Sequence, residues 1–339
     1  MITYKSSIDY VANLELPWNK LENKTVLISG ASGMIGTFLI HVLLEKISAI
    51  KIIAIGRNKP KARERFKEYW KDPRFTFLSH DINQPLDAIG RTDFILHAAS
   101  NTHPLSYASD PIGTITTNIL GTYNLLNYAA NCHAERFVLA SSVEIYGENR
   151  GDTDYFDENY CGYIDCNTMR AGYPESKRAS EALCQAYIKA KSMEIVIARL
   201  ARTYGPTMIW DDSKAISQFI KNGILKEDIV LKSAGNQLYS YNYVADTVSG
   251  LLTIWLKGNN GEAYNIADPK SDITLKELAT IIAEDSGTKV TFEFPDAIEQ
   301  SGYSKATKAI MNSEKLQKLG WKAHWSIREG IKETLSCYQ

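Results

Sequence analysis

Long apolar runs are missing from this sequence. No stretch of its 339 residues reaches the roughly 20 consecutive apolar positions that cross a bilayer. The opening MITYKSSIDYVANLELPWNK has no apolar segment of signal-peptide length. No membrane partner is therefore expected, and a cytoplasmic protein is. Charge of one sign is missing too: 38 Lys and Arg against 39 Asp and Glu leave a net charge of −1. Nothing here offers nucleic acid or an anionic surface a basic face. Cysteine is scarce, with five residues (Cys132, Cys161, Cys166, Cys184 and Cys337). The number is odd and only Cys161 and Cys166 lie close, without Cys or His at ligand spacing, so no metal site is expected. Free thiols in a reducing compartment fit this usage. Internal repeats and low-complexity tracts are also absent.

What is present is strand–helix alternation. Short runs rich in β-branched residues lie at Thr25–Ser29, Lys51–Ile55, Phe75–Leu78, Phe94–His97, Phe137–Ser141 and Glu194–Leu200. Most are nearly continuous apolar runs, as strands buried on both faces of a parallel sheet require. Amphipathic segments at Ile35–Glu45, Ile115–Ala130 and Ser176–Lys191 separate them. The pattern predicts an α/β fold with a Rossmann-like doubly wound parallel sheet. After Pro206 the pattern changes. Helices around Ile216–Asn222, Val244–Lys257 and Leu275–Glu284 mix with short strands near Ile229–Leu231, Ala263–Ile266 and Val290–Phe294. Thr274 and Glu277 have capping-box spacing. The expected division is an N-terminal extension over 1–23, a cofactor-binding domain over 24–205, and a smaller α/β substrate domain over 206–339. The stretch 240–260 is expected to pack back on the first domain. The charged ARERFKEYWK is expected to be a solvated helix.

The segment TVLISGASGMIG places three glycines directly after the first strand. Gly30 allows a tight turn, Gly33 leaves room for a phosphate, and Gly36 lets helix and strand touch. With Ser32, Met34 and Ile35 they would cradle the pyrophosphate of a dinucleotide at a helix N-terminus. The next strand ends in Gly56-Arg57-Asn58, with Lys59 and Arg63 nearby, where an acidic residue would grip a ribose 2′-hydroxyl. A cation there suits a 2′-phosphate, so the cofactor is NAD(P), with NADP slightly favoured over NAD. Asp81 and Ile82, after the third strand, flank the adenine, or Asp81 caps a helix. His97, Ala98 and Ala99 end the fourth strand beside the cofactor, with Ser100 toward the substrate.

Tyr173 and Lys177 are one helical turn apart in RAGYPESKR. A phenol titrates near 10, and a neighbouring ammonium together with a cationic nicotinamide would lower that value. Lys177 could also hold the ribose hydroxyls. Upstream, FVLASSVEIYG ends a strand at Ser142, a hydroxyl for the reacting alcohol or carbonyl.

These pieces in this order resemble the extended short-chain dehydrogenase/reductases that act on nucleotide sugars as epimerases, dehydratases and decarboxylases. The likeness runs from about residue 24 to 335 through GASGMIG, DFILHAAS, TTNILGTYNLL, ASSVEIYG, GYPESKR, RLARTYGP, YNYVADTVSGL and KLGW. It implies transient oxidation of a sugar hydroxyl, usually at C4, with Tyr173 as base, on a nucleotide-sugar substrate. Dehydratases of the group carry an acid after the Thr at the strand end; this chain has Val143 there, which disfavours dehydration. Glu144 and Arg170 match the UDP-glucuronate decarboxylases, with Glu144 as general acid/base or substrate positioner. Asn118 matches an Asn that braces the active-site helix.

Three departures stand out. Arg202 occupies the place of a family Asn, Tyr239 that of an Arg that clamps the diphosphate, and Lys232 that of an aromatic that packs on the base. Arg202 is expected to replace the clamp missing at 239. Trp210 and Lys214, in MIWDDSK, are expected at the substrate entrance. The resemblance also implies a homodimer through a bundle of the helices Ile115–Ala130 and Ser176–Lys191. Alternatives are a reductase or dehydrogenase on a keto-sugar or a substrate without a nucleotide, or a non-catalytic NADP-binding regulator.

Overall fold

In the computed structural model the described residues are 3–338, except 88, 103 and 294–306. His103 and the end of the expected strand at Phe294 therefore lie outside the described residues.

The apolar runs of the first half become β1 (Lys24–Ser29), β2 (Ile50–Gly56), β3 (Phe75–Ser79), β4 (Phe94–His97), β5 (Arg136–Ser142) and β6 (Ile195–Leu200). Shorter strands follow: β7 (Arg202–Tyr204), β8 (Ile229–Leu231), β9 (Leu238–Tyr243), β10 (Ala263–Ile266), β11 (Asp272–Thr274), β12 (Val290–Phe292) and β13 (Lys308–Ala309). The main sheet has seven strands in the order β10-β6-β5-β4-β1-β2-β3, every pair parallel. Its central strands are buried on both faces, with β4 buried at all four residues, which explains their unbroken apolar sequence. The order reverses between β1 and β4, so their carboxyl ends open a crevice.

The helices that position the site are α1 (Lys5–Ala12), α2 (Met34–Lys46), α3 (Lys59–Arg65), α4 (Pro104–Ser109), α5 (Pro111–Asn131), α6 (Gly172–Lys191), α7 (Ala215–Leu225), α8 (Val244–Lys257) and α9 (Leu275–Ser286). Asp110 accepts from Gly113 N–H at the start of α5, and Pro111 occupies its first turn. The Thr274–Glu277 capping box is present at α9.

The structure adds to the sequence reading in several places. The strand Ala263–Ile266, expected among the later elements, joins the main sheet beside β6. The helix α8 packs with it against that sheet and against α2. In contrast, β9 pairs with β7, β11 and β13 in a second small sheet, and β8 pairs with β12. The chain thus crosses between the two layers more than once. Residues 3–21, within the expected N-terminal extension, pack on the body: Ser7 hydrogen-bonds Tyr243, Tyr4 bonds His41, and Trp18 and Leu21 are buried. Finally, the charged helix is only Lys59–Arg65, and Phe66 behind it enters the core.

Candidate active site

Beyond the carboxyl ends of β1 and β4 lies a cleft of about 1080 Å³. The glycine turn forms one end. Gly30 has φ +69°, and a Cβ there would sit 2.7 Å from the Ala98 carbonyl carbon. A Cβ on Gly36 would meet the Gly30 oxygen at 2.7 Å and Ala31 Cα at 2.8 Å, so helix and turn touch here. Gly33 is the N-cap of α2, and no side chain caps that end. The first-turn amides, with Ser32, Met34 and Ile35 lining the cleft, are left to an anionic acceptor. This cradle fits a pyrophosphate.

Gly56, Arg57 and Asn58 line the cleft at the end of β2. The Asn58 side chain accepts from Lys61 N–H and starts α3, and Lys61, rather than Lys59 or Arg63, joins Arg57 at the cleft. Asp81 accepts from Asn83 N–H in a local turn while both it and Ile82 line the cleft. Ala98, Ala99 and Ser100 line it as well. His97 does not. Its Nδ1 bonds the Ser29 hydroxyl at 2.8 Å behind the lining, and burial, then Lys177, lowers its pKa to about 3. The expected cofactor contact is corrected to a neutral buried support, because β4 alternates and turns this side chain away.

On the other wall, Tyr173 occupies the first turn of α6 and Lys177 lies one turn later, both buried and both lining the cleft. Lys177 Nζ lies 6.0 Å from the centre of the Tyr173 ring and donates to the Ala140 carbonyl at 2.9 Å. Ser142 ends β5, accepts from Glu144 N–H at 3.2 Å, and hydrogen-bonds the Tyr173 phenol. The phenol is not acidified. Burial, with Glu144 adding to it, pushes its pKa up to about 12 against the Ser142 bond and Arg170. Burial also lowers the Lys177 ammonium to about 8, with Glu181 opposing. In the protein alone the phenol is therefore a neutral donor, because desolvation outweighs the nearby charges.

Asn118 stands behind this pair and does not line the cleft. Its Nδ2 donates to Ser176 at 2.8 Å and its Oδ1 accepts from Ser100 at 2.7 Å. It ties α5 to α6 and to the loop after β4.

Glu144 lies on the turn after β5. Arg170 Nη2 bonds one of its oxygens at 2.7 Å, and Arg202 Nη2 lies 3.5 Å from the other. Burial raises the Glu144 pKa, but Arg170 and then Arg202 outweigh it, and the carboxyl is held below its ordinary range. Arg202 is stacked over the Tyr239 ring at 3.6 Å. Arg170 lies over the Tyr107 ring at 4.8 Å, and that ring is 4.9 Å from the Tyr173 ring. An unbroken stack therefore runs Tyr239, Arg202, Glu144, Arg170, Tyr107, Tyr173 across the cleft. Arg202, expected as a diphosphate clamp, has its guanidinium paired with Glu144 near the Tyr173 phenol, because β7 and β9 lie side by side and place it over Tyr239.

At the entrance, Lys214 donates to Asp212 at 2.8 Å and to Thr102 at 3.3 Å. Trp210 is 40% exposed, with the Lys221 ammonium 5.4 Å above its ring. Sequence reasoning missed Tyr107, Lys61 and Thr102. Tyr107 sits on a six-residue helix with no spacing signature, so only the fold brings it to the site.

Residues 26–267 match the NAD dependent epimerase/dehydratase family. The chain is 31% identical over 309 residues to UDP-glucuronic acid decarboxylase 3 of Arabidopsis thaliana, covering 91% of this chain and 87% of that one. It is 30% identical over 321 residues to UDP-glucuronic acid decarboxylase 1 of Xenopus tropicalis, covering 94% and 73%. Among solved structures it is similar in fold to a UDP-glucuronic acid 4-epimerase from Bacillus cereus in complex with UDP-glucuronic acid and NAD. The TM-score is 0.80, with 22% identity and coverage of 93% and 98%. A dTDP-glucose 4,6-dehydratase from Streptomyces venezuelae with NAD bound gives a TM-score of 0.80, with 24% identity and coverage of 93% and 96%. With a cradle for a dinucleotide facing a Ser–Tyr–Lys wall, this chain belongs to the NAD dependent epimerase/dehydratase family, the enzyme group its motifs resemble.

Proposed function

We propose that the protein transiently oxidises a nucleotide-linked sugar acid at C4 and that decarboxylation or epimerisation follows, rather than dehydration. The observation that carries this reading is Glu144 held between Arg170 and Arg202 beside Tyr173. Two guanidinium groups against one carboxylate leave a local excess of positive charge, and Arg202 Nη1 is buried without a hydrogen-bond partner. A second anionic group on the sugar satisfies it. Val143, buried beside Ser142, has no proton to give a departing hydroxide.

The nicotinamide cofactor, when bound, supplies the reversible exchange of hydrogen with the sugar carbon. The residues do the rest. The glycine turn and the α2 amides bind the pyrophosphate, and Arg57 with Lys61 faces the adenosine end. We infer that this pair of cations admits a 2′-phosphate and tips the preference toward NADP. Ser142 orients the reacting hydroxyl, Tyr173 takes and returns its proton, and Lys177 holds the charge of the wall. Arg170 and Arg202 place the sugar's anionic group. The Glu181 carboxylate behind Lys177 is itself fixed by Arg199 at 2.8 Å.

Incubation with a panel of nucleotide sugars, read by mass, tests the reading. Loss of the mass of CO2 means decarboxylation, an unchanged mass with a new isomer means epimerisation, and loss of water overturns the assignment. Calorimetry with NAD and NADP separately tests the cofactor preference, and tighter binding of NAD removes it.

The helix-bundle homodimer belongs to the same proposal. Ile112, Leu120 and Tyr123 are 75%, 44% and 47% exposed along α5. That apolar stripe is supported as a contact between two copies, since such residues otherwise face water.

A further inference from the structure

A second cavity, of about 60 Å³, lies behind the cleft. Glu148, Asp165, Thr168 and Ala171 line it, and Glu144 and Arg170 line both cavities. It is therefore separated from the cleft by one ion pair. Its volume exceeds the roughly 10–15 Å³ that one water needs, and Glu148, Asp165 and Thr168 bring polar groups to its walls. Independently, Arg170 keeps Nε and Nη1 buried with no hydrogen-bond partner, while Nη2 is spent on Glu144. Buried N–H groups of a charged side chain are costly to leave unpaired. The same side chain lines this cavity, and there we place the missing acceptors. The outer wall reaches the surface: Tyr163, which also lines it, is 46% exposed, and the Glu148 side chain is 33% exposed.

We propose that this cavity holds ordered water bonded to Arg170 and forms a proton route from solvent to Glu144 that bypasses the substrate-filled cleft. The inference rests on the decarboxylating reading above, because that branch has a proton deficit. Loss of CO2 breaks the carbon–carbon bond to the carboxylate and leaves its electron pair on the sugar, delocalised into the neighbouring ketone. A new C–H bond then forms with a proton, so that R–COO⁻ and H⁺ become R–H and CO2. The proton removed from the hydroxyl by Tyr173 returns to the same oxygen when the ketone is reduced, so it does not fill the deficit. One proton per turnover must come from solvent, while the nucleotide sugar closes the front entrance. Glu144 is the carboxylate that lines both cavities. The water behind passes one proton to Glu144 as it takes another from bulk solvent, so no hydroxide is left, and Glu144 hands its proton to the carbon in front and returns to the charged form that Arg170 and Arg202 favour.

A crystal structure of the protein with NAD bound is the direct test. One or two ordered waters within hydrogen-bond distance of Arg170 Nε or Nη1 are expected; a dry cavity, or protein partners on both nitrogens, overturns the route whatever the activity. Ala171→Val narrows the cavity from a position outside the catalytic groups. It is expected to expel the water and leave NAD affinity by calorimetry within about twofold. With UDP-glucuronate as the probe, CO2 release falls at least about tenfold while the keto sugar accumulates by mass. CO2 release at the parent rate from a variant whose cavity is shown to be filled overturns the proposal. If Ala171→Val does not fold, Thr168→Val removes one polar wall at constant shape. A fall of about threefold in CO2 release is then expected, and no change counts against the route. Water in the cavity with no CO2 release by the parent overturns the decarboxylating reading alone.

Discussion

Tyr173 enters the cleft as a neutral phenol, because burial outweighs the favourable Ser142 bond. Lys177 is the complementary case. Its folded value of about 8 lies below the ordinary lysine value, so the ammonium is fully present below that pH and is lost above it. If Lys177 holds the cofactor through this charge, as proposed, cofactor affinity falls as pH rises from one unit below that value to one unit above. Lys177→Met is expected to bind NAD more weakly and with no such slope in calorimetry; an unchanged slope would remove the role. Arg202 is one of the three positions where this chain departs from the pattern its motifs resemble. If its unpaired Nη1 meets the sugar's anionic group, Arg202→Ala raises the KM for UDP-glucuronate about tenfold to a hundredfold, the worth of one charged hydrogen bond. NAD affinity stays within about twofold. Equal KM values for parent and variant would sink that contact. The residue identities were legible in the sequence; their pairing was not. Arg202 and Glu144 are 58 positions apart and meet only because β7 and the turn after β5 face one cleft.

At the scale of elements, the parallel strands were readable because burial on both faces leaves no polar alternation to confuse them. Helix α8 and the strands Ile229–Leu231 and Ala263–Ile266 fall where the sequence puts them. The misses are short pieces, such as α4, β7 and β11, that have no room for a period. Asn118 shows what an element-level contact is worth. It joins α5 to α6 through Ser176, and Ser180 donates to its carbonyl at 2.9 Å. Asn118→Ala leaves the buried Ser176 hydroxyl and the half-buried Ser100 hydroxyl short of a partner. It is expected to cost about 1–3 kcal/mol of stability, and to lower turnover by letting the α6 wall shift against Ser142. Denaturant unfolding and initial rates check the two effects; loss of neither would mean that the helices hold without it.

For the molecule as a whole, the main sheet supplies the rigid half of the site and the second sheet supplies Arg202 and Tyr239. The chain passes between these layers after β6 and again after β9, so substrate and cofactor walls are tied by several crossings. The apolar stripe of α5 is the feature that a single chain does not explain. Leu120→Lys places a charge in its middle. Light scattering is expected to give twice the monomer mass for the parent and a shift toward monomer for the variant; a monomeric parent would dismiss the bundle.

The sequence alone determined the doubly wound sheet, the glycine cradle and the Ser142–Tyr173–Lys177 wall, because each depends on residues close in the chain or on burial of whole runs. Tertiary structure alone decided which layer Ala263–Ile266 joins, that Arg202 stacks on Tyr239 and faces Glu144, that Tyr107 reaches Tyr173, and that His97 turns away from the cleft. These depend on how distant segments are brought side by side. Local spacing carries no record of that, and the desolvation that shifts Tyr173 and Lys177, like the guanidinium pairing that holds Glu144 charged, exists only in the folded cleft.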